Sequence, residues 1–541
     1  MESDARLGAY VRVAAVKVVA VVCCWNAAVY AADPSRSERS GTVSPAEKYR
    51  VVFSTYLGGT KWDHARDVVA DAEGNAYVVG GTGSSKADGF PVTDGAYQVF
   101  RRPDGDQPGR HKPPSDVFAA SYSPDGKLRW ATFIGGPNYD RAYSCKLAPD
   151  GSLILGGRSG RGFPTTAGVF QPRWQGDPAL MEALYGPQNA FICKLSGDGQ
   201  RLLWSTHVGT DLCRGCVVDD VGDVYVAIGR PGSPTVPDPD WFRQAFANAF
   251  QKKPKGGVRD VAVVKIKGDG SKVLWATWLS GSREDGGRVC VRVDRAHNVY
   301  VGIYTNSPDM PVTGCYYDKL HGDFDAYYAK ISPDGSRLLY GTYVGGSKFD
   351  MGNETNCLFV DKEGNLYATI LTNSPDFPLT KDKGTYDNGL RSSGTHAAAI
   401  KLSPEGHLLY SCLIGSSGAE KVEGMTVDSR GCVIFGGRTG AADYPTTSGA
   451  LQRTHSGKGD DAFLTRLSAD FRKLTYSTFI GGEGDQFLRG FYADPQGRIY
   501  AVGSATGGWP TVNASQDTYA GTNDGRWANW DVVVIKLEPE P

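Results

Sequence analysis

The chain has 541 residues, with 58 Lys+Arg against 59 Asp+Glu, and a net charge of −1 excludes a general electrostatic footprint for nucleic acid or an anionic membrane surface. Aromatic residues make up 11% and charged residues 22%, which is the composition of a folded globular protein and not of a disordered chain. The 70 glycines, about 13%, exceed the usual ~7% and point to many tight turns between short strands.

At the N-terminus Arg6, Arg12 and Lys17 precede an apolar run from Val18 to Ala31, and Val29-Tyr-Ala31 before Ala32 carries the small-residue pattern of a signal-peptidase site. Residues 1–31 therefore read as a signal peptide, and the mature chain as exported: periplasmic, cell-surface or secreted. Asn26 interrupts the run, which falls short of the ~20 apolar residues of a membrane span. A lipid-anchor cysteine at Cys23 is the weaker alternative, because Ala-Val-Val before it fits that signal poorly. Residues 32–49 are polar and turn-rich and are expected to form a flexible lead-in. Removing the signal leaves nine of eleven cysteines, an odd number scattered through predicted strands, so buried packing is expected rather than a disulfide framework.

From residue 50 onward one stretch is written seven times. It appears as Phe53-Ser-Thr-Tyr-Leu-Gly-Gly59, Trp130-Ala-Thr-Phe-Ile-Gly-Gly136, Trp204-Ser-Thr-His-Val-Gly-Thr210 and Trp275-Ala-Thr-Trp-Leu-Ser-Gly281. Tyr340-Gly-Thr-Tyr-Val-Gly-Gly346, Tyr410-Ser-Cys-Leu-Ile-Gly-Ser416 and Tyr476-Ser-Thr-Phe-Ile-Gly-Gly482 complete the set. The spacings of 77, 74, 71, 65, 70 and 66 residues announce a repeat architecture. Each unit adds three more apolar runs in a fixed order, separated by turns such as Asp71-Ala-Glu-Gly-Asn75 and Ser123-Pro-Asp-Gly126. Four short runs bounded by Gly, Pro and Asp read as four antiparallel strands. The turn acids are expected to bond their own backbone, and the turn glycines to supply positive φ.

Two further patterns recur inside the unit. The third strand opens with Asp and ends with a basic residue, as in Asp325-Ala-Tyr-Tyr-Ala-Lys-Ile331 and Asp461-Ala-Phe-Leu-Thr-Arg-Leu467, an arrangement expected to brace loop–strand junctions. Aromatic-Pro-x-Thr recurs as Phe90-Pro-Val-Thr93, Phe163-Pro-Thr-Thr166, Phe377-Pro-Leu-Thr380, Tyr444-Pro-Thr-Thr447 and, with Val last, Trp509-Pro-Thr-Val512, and predicts extended backbone leaving a sheet. In the third unit, residues 240–251 predict a short, Asp-capped amphipathic helix on the outside or rim.

Seven all-β units of four strands predict a seven-bladed β-propeller, with units at about 60–136, 137–210, 211–281, 282–346, 347–416, 417–482 and 483–541. The chain starts on a lone aromatic strand, 51–57, and its last unit lacks a fourth strand, so the first strand is expected to complete the last blade and close the ring. On these residues the chain from about 50 to 541 resembles the bacterial SBBP-type seven-bladed β-propeller repeat. The resemblance is strongest in units one, five, six and seven; it implies an exported or cell-surface protein and brings no catalytic residues with it.

Propeller topology places the second-to-third loops and the blade-to-blade loops on one face, and the long insertions at 101–115, 172–188, 232–259 and 513–530 all fall there. That face is the expected binding face. Each blade-to-blade loop also carries an acid: Asp63, Asp140, Asp211, Asp285, Asp350, Glu420 and Asp485. Seven carboxylates around a channel mouth would concentrate cations and could hold calcium or an amine-bearing ligand. The basic neighbours Arg66, Arg141, Arg214, Arg288, Lys348, Lys421 and Arg489 support the other reading, inter-blade ion pairs and capped backbone donors. Cys145, Cys216, Cys290 and Cys357 fall on first strands, near the axis, where packing is favoured over a soft-metal site.

The function expected from sequence is a non-catalytic binding or scaffold propeller engaging a protein, glycan or envelope ligand, with Trp174, Trp241, Trp527 and Trp530 available on its loops. The alternative is a propeller enzyme of the quinone-dependent dehydrogenase kind, suggested by Asp125-Gly-Lys-Leu-Arg-Trp130.

Overall fold

The computed structural model describes residues 47–102, 115–177, 185–229, 238–257, 259–352, 356–389, 394–522 and 529–540. The expected signal peptide, most of the lead-in and the centres of the long insertions lie outside these residues. The expected all-β propeller is present: seven antiparallel sheets follow one another along the chain. Blade 1 runs Asp63–Ala70, Ala76–Thr82, Asp116–Tyr122 and Leu128–Ile134 from the axis outward. Blades 2 to 6 repeat the order, except that the inner strand of blade 5 is broken into Asp350–Gly352 and Leu358–Val360.

Blade 7 closes as expected. Its three own strands, Gln486–Ala493, Ile499–Ala505 and Asp531–Pro539, take Tyr49–Leu57 as the fourth, in register Ser54↔Ile535 and Leu57↔Val532. The closing strand starts two residues earlier than its sequence pattern suggests, and Glu47 is already tied down. The Glu47 N–H donates to the Thr475 carbonyl (3.1 Å), and its carboxylate meets the buried Arg466 at 2.6 Å. No stretch of Tyr49–Leu57 can therefore belong to a flexible lead-in.

Alternation makes the core. Successive residues of one strand face opposite neighbours: Val78 packs toward blade 7, and Val79 toward blade 2. The result is seven apolar clusters, one between each pair of adjacent blades, with the closing strand's Phe53 and Leu57 in the one joining blades 7 and 1. A chain of two-sided sheets has no free apolar face once the ring closes. The cysteines follow the same rule: Cys145 sits between blades 1 and 2, Cys216 between 2 and 3, and Cys290 and Cys357 between 4 and 5, all buried in packing.

The repeated Gly-Gly has a steric cause. A Cβ on Gly58 would lie 2.6 Å from the Asp531 carboxyl carbon, and the same clash recurs for Gly135 on Asp116 (2.5 Å) and Gly345 on Asp325 (2.6 Å). The third-strand acid fills the space that the glycine leaves. At the other end of that strand the basic residue reaches the first turn's acid, as Lys265 does to Asp223 (3.2 Å) and Arg466 to Asp428 (2.6 Å), which is the brace expected from sequence.

The helix expected over 240–251 is reduced to one turn, Phe242–Ala245, and Asp240 does not cap it. Trp241 and Phe246 are buried against Trp278, so packing on the outer strand outweighs helix propagation in so short a segment.

Candidate site at the channel mouth

Five of the seven blade-to-blade acids have their carboxylates turned into the blades. Asp63, Asp140, Asp285, Asp350 and Glu420 are fully buried. Asp63 accepts from the Gly59 N–H (2.7 Å) and Ser84 hydroxyl (2.9 Å), and Asp140 from the Gly136 (2.7 Å) and Gly160 (2.8 Å) N–H groups. Asp285 accepts from Gly281 N–H (2.6 Å), Asp350 from Gly346 N–H (2.8 Å), and Glu420 contacts His396 Nδ1 at 2.9 Å. Each carboxylate thus pins the start of its blade to the preceding Gly-Gly turn. In blade 7 the equivalent residue is Gln486, whose Oε1 accepts from Gly482 N–H (3.3 Å), while Asp485 stands one residue earlier and accepts from Asp460 N–H (2.9 Å). Asp211 lines an open cavity. Among the described residues no group of three or more His, Cys, Asp or Glu side chains is arranged to hold a metal ion.

Several of these acids sit beside third-strand acids, and burial raises Asp63, Asp140, Asp285 and Asp350. Burial pushes the Asp63 carboxyl up to about 6 against the hydrogen bonds it accepts, and burial first and then the charge of Asp63 push Asp531 beside it up to about 8. Asp325 rises to about 7 for the same reasons, with Asp350 as its neighbour.

What faces the axis is a second set of residues. The inner strands of blades 1, 2, 3, 6 and 7 each slip register by one residue at the same place. A bulge turns its extra residue out of the alternation, and here those residues are Arg66, Tyr143, Arg214, Glu423 and Arg489. They meet around the channel. The Arg66 guanidinium lies 4.7 Å from the centre of the Tyr143 ring and that of Arg214 5.2 Å, and Arg141 and Arg158 of blade 2 join them at 5.4 and 5.5 Å. Arg489 is neutralised by Glu423 (2.9 Å). Arg141 contacts His64 Nδ1 at 2.7 Å, and burial together with Arg141, Arg489 and Arg66 holds that imidazole neutral, far below its ordinary range. Burial would raise the Tyr143 phenol, yet Arg158, Arg141, Arg66 and Arg214 outweigh it and pull the group down to about 7. Among the described residues, guanidinium groups gather around Tyr143 at this end of the channel.

Of the basic residues beside the acidic ring, Arg489 makes an inter-blade ion pair of the kind expected, with Glu423 of blade 6, whereas Arg141 turns to His64 and Tyr143. Deeper in the channel, Asn356 of blade 5 reaches across to Asp67 of blade 1 (2.9 Å), which also accepts from Lys146 of blade 2 (2.7 Å). That bridge puts a floor beneath the mouth.

A cavity of about 310 Å³ opens beside the arginine cluster on the long-loop face, between blades 2, 3 and 4. Arg158, Arg214, Arg259, Asp211, Tyr185 and Gln188 line it. Arg158 is 5% exposed, its guanidinium stacks 4.2 Å from the Tyr185 ring centre, and its Nε has no hydrogen-bond partner. Gln188 is 6% exposed; its Nε2 donates to the Tyr185 carbonyl (3.0 Å), while its Oε1 accepts no hydrogen bond. Of the loop tryptophans, Trp241 is in the core, Trp174 donates to the Ser159 carbonyl (3.3 Å), Trp530 stands against Phe487 (5.0 Å), and Trp527 lies outside the described residues.

One repeated residue escaped the sequence reading. A loop amide accepts the N–H that follows the fourth strand in six blades: Gln98 from Gly135 (3.2 Å), Gln171 from Gly209 (3.0 Å), Gln251 from Ser280 (3.1 Å), Asn388 from Gly415 (3.1 Å), Gln452 from Gly481 (2.9 Å) and Gln516 from Gly58 (3.0 Å). The threonine of the aromatic-Pro-x-Thr motif ties the same loops down, as Thr166 does by accepting from Ser205 N–H (3.1 Å). These segments lie along the outer strand, and do not simply leave the sheet. In four of the six the signal was visible as an aromatic- or aliphatic-Gln pair, Tyr97-Gln98, Phe170-Gln171, Phe250-Gln251 and Leu451-Gln452, but loop length varies too much to align it by spacing.

No family model matches the chain, and no curated protein matches it. Among solved structures it is similar to a protein of unknown function from Dyadobacter fermentans DSM 18053, at 12% identity over 91% of this chain and 100% of that one, with a TM-score of 0.40. It is also similar to the WD40 β-propeller domain of Doa1, at 11% identity over 91% and 97% with a TM-score of 0.41. A quinohemoprotein alcohol dehydrogenase from Comamonas testosteroni aligns at 10% identity over 92% and 78%, with a TM-score of 0.37.

Proposed function

We propose that this chain is an exported, non-catalytic binding propeller of the SBBP-repeat kind, engaging a glycan or protein at the cell envelope through its long-loop face. The observation that carries the reading is the cavity of about 310 Å³ at the channel mouth, lined by side chains from three blades and holding a buried guanidinium and a buried amide with unmet hydrogen bonds. A cavity on a rigid ring suits capture of a ligand. The stretch that suggested a quinone-dependent dehydrogenase serves blade packing here, because Trp130 donates to the Gly197 carbonyl of the next blade (3.1 Å). Calcium is not part of this reading, which rests on the cavity and not on Asp63, Asp140, Asp285, Asp350 and Glu420, whose carboxylates are engaged within the blades.

Hydrogen exchange of the whole protein, with and without a panel of soluble neutral and acidic polysaccharides, tests the proposal. Protection is expected in the segments around Tyr185–Gln188 and Arg259–Val289, which border the cavity. Protection confined to the opposite face, at turns such as Asp71–Asn75, would overturn it.

A further inference from the structure

The unmet groups in the cavity specify more than its location. We propose that the channel-mouth cavity binds an acidic sugar, its carboxylate held by Arg158 and Arg214 and a ring hydroxyl donated to Gln188. The inference rests on the binding reading above and names its ligand class.

Three observations point the same way. First, among the described residues the cavity wall carries Arg158, Arg214 and Arg259 and one carboxylate, that of Asp211, a balance of charge that favours an anion. Arg158 is nearly buried with an Nε that donates to nothing, and a planar guanidinium in that state fits a carboxylate through paired N–H donors. Second, the Gln188 Oε1 needs a donor, which a carboxylate does not supply at neutral pH but a sugar hydroxyl does. Third, Tyr185 lines the same cavity as an aromatic wall, with Tyr139 behind it at 4.8 Å, a surface on which the C–H face of a pyranose can rest. At about 310 Å³ the volume is at the lower end of the roughly 300–1,000 Å³ of small-ligand pockets, so it admits a sugar unit and not a folded chain.

Tyr143 is the built-in competitor. Its phenol stands among Arg66, Arg141, Arg158 and Arg214, with Tyr139, Tyr185, His64 and Asp211 as the other titratable groups nearby. When it ionises it offers those guanidiniums an internal anion; a bound carboxylate would displace that role and make ionisation harder.

Calorimetric titration of the full chain with galacturonic acid, galactose and inorganic phosphate, at low salt and near neutral pH, tests the proposal. Galacturonic acid is expected to bind and galactose to bind at least about tenfold more weakly, the loss of one charge-assisted bidentate pair. Arg158→Met should weaken galacturonic acid by about tenfold or more, with Arg158→Lys intermediate because charge survives but the fork is lost. Near-ultraviolet titration of the phenolate should show ionisation moving to higher pH when galacturonic acid is bound, a readout that a fold defect does not imitate. Tyr143→Phe should bind galacturonic acid as tightly as the parent or more tightly above neutral pH. Equal binding of galactose, unchanged binding in Arg158→Met, or binding of phosphate in place of the sugar acid would each overturn the assignment. If a neutral polysaccharide protects the mouth and galacturonic acid does not bind, this inference fails while the binding reading stands; if nothing protects the mouth, both fail.

Discussion

Replacing Asp531 by Asn should stabilise the protein, and the gain should grow with pH. Asp531 is fully buried at the start of the third strand of blade 7, accepts the Ala520 N–H (2.7 Å) through Oδ2, leaves Oδ1 without a partner, and faces the neighbouring Asp63. Burial lifts its carboxyl from 3.8 to about 8. A folded-state value above the unfolded one means that its contribution to stability is fully present below about pH 4 and is lost as pH rises through about 8. Each unit of difference corresponds to about 1.4 kcal/mol, so at pH 7 keeping this group protonated costs the fold at most about 4 kcal/mol relative to pH 4. An amide keeps the shape and the accepted hydrogen bond and has no charge to suppress. Urea unfolding of parent and Asp531→Asn at a series of pH values should give a stability difference near zero at the acid end that reaches ~2–4 kcal/mol around neutrality. A difference that does not change with pH, or a variant less stable than the parent at neutral pH, would refute the assignment of Asp531 as a buried neutral acid.

Two other substitutions probe how the ring and its loops are held. Phe53→Ala empties a fully buried position between blades 7 and 1, where the ring stacks 5.9 Å from Tyr122, and should cost about 3–5 kcal/mol in urea unfolding while leaving one transition; a loss below about 1 kcal/mol would mean that the first strand does not complete blade 7. Gln452→Ala leaves the Gly481 N–H without its acceptor and should cost about 1–3 kcal/mol, with faster hydrogen exchange confined to the loop between residues 445 and 460. Unchanged exchange in that loop would show that the amide does not anchor it.

The fold was legible in the sequence because its determinants are local and repeated. Strand alternation, Asp and Gly turns, and the Gly-Gly pair are each set by near neighbours or by one partner at a fixed offset, so seven copies reinforce one another. Gly58 beside Asp531 is the most distant of these pairings, and the repeat still reveals it through Gly135 with Asp116 and Gly345 with Asp325. The offset between a lone first strand and an incomplete last unit was likewise written in the chain order.

The site was not legible in the same way. The positions of the acids were, but whether a carboxylate faces the channel or its own turn depends on where backbone N–H groups such as Gly59 and Gly136 come to rest. That arrangement pulls the acids inward and leaves the axis to others. Arg66, Tyr143 and Arg214 reach the axis because a register slip in each inner strand breaks the period of two, and the sequence carries no clear mark of that slip. Arg141 and Arg158 come from the start and the end of neighbouring strands, 17 positions apart, and only the antiparallel pairing Arg141↔Arg158 sets them side by side. Repetition along the chain thus determined the ring and its closure. The company around Tyr143 was decided by closure itself, which brings guanidinium groups from different blades within a few ångströms of one phenol.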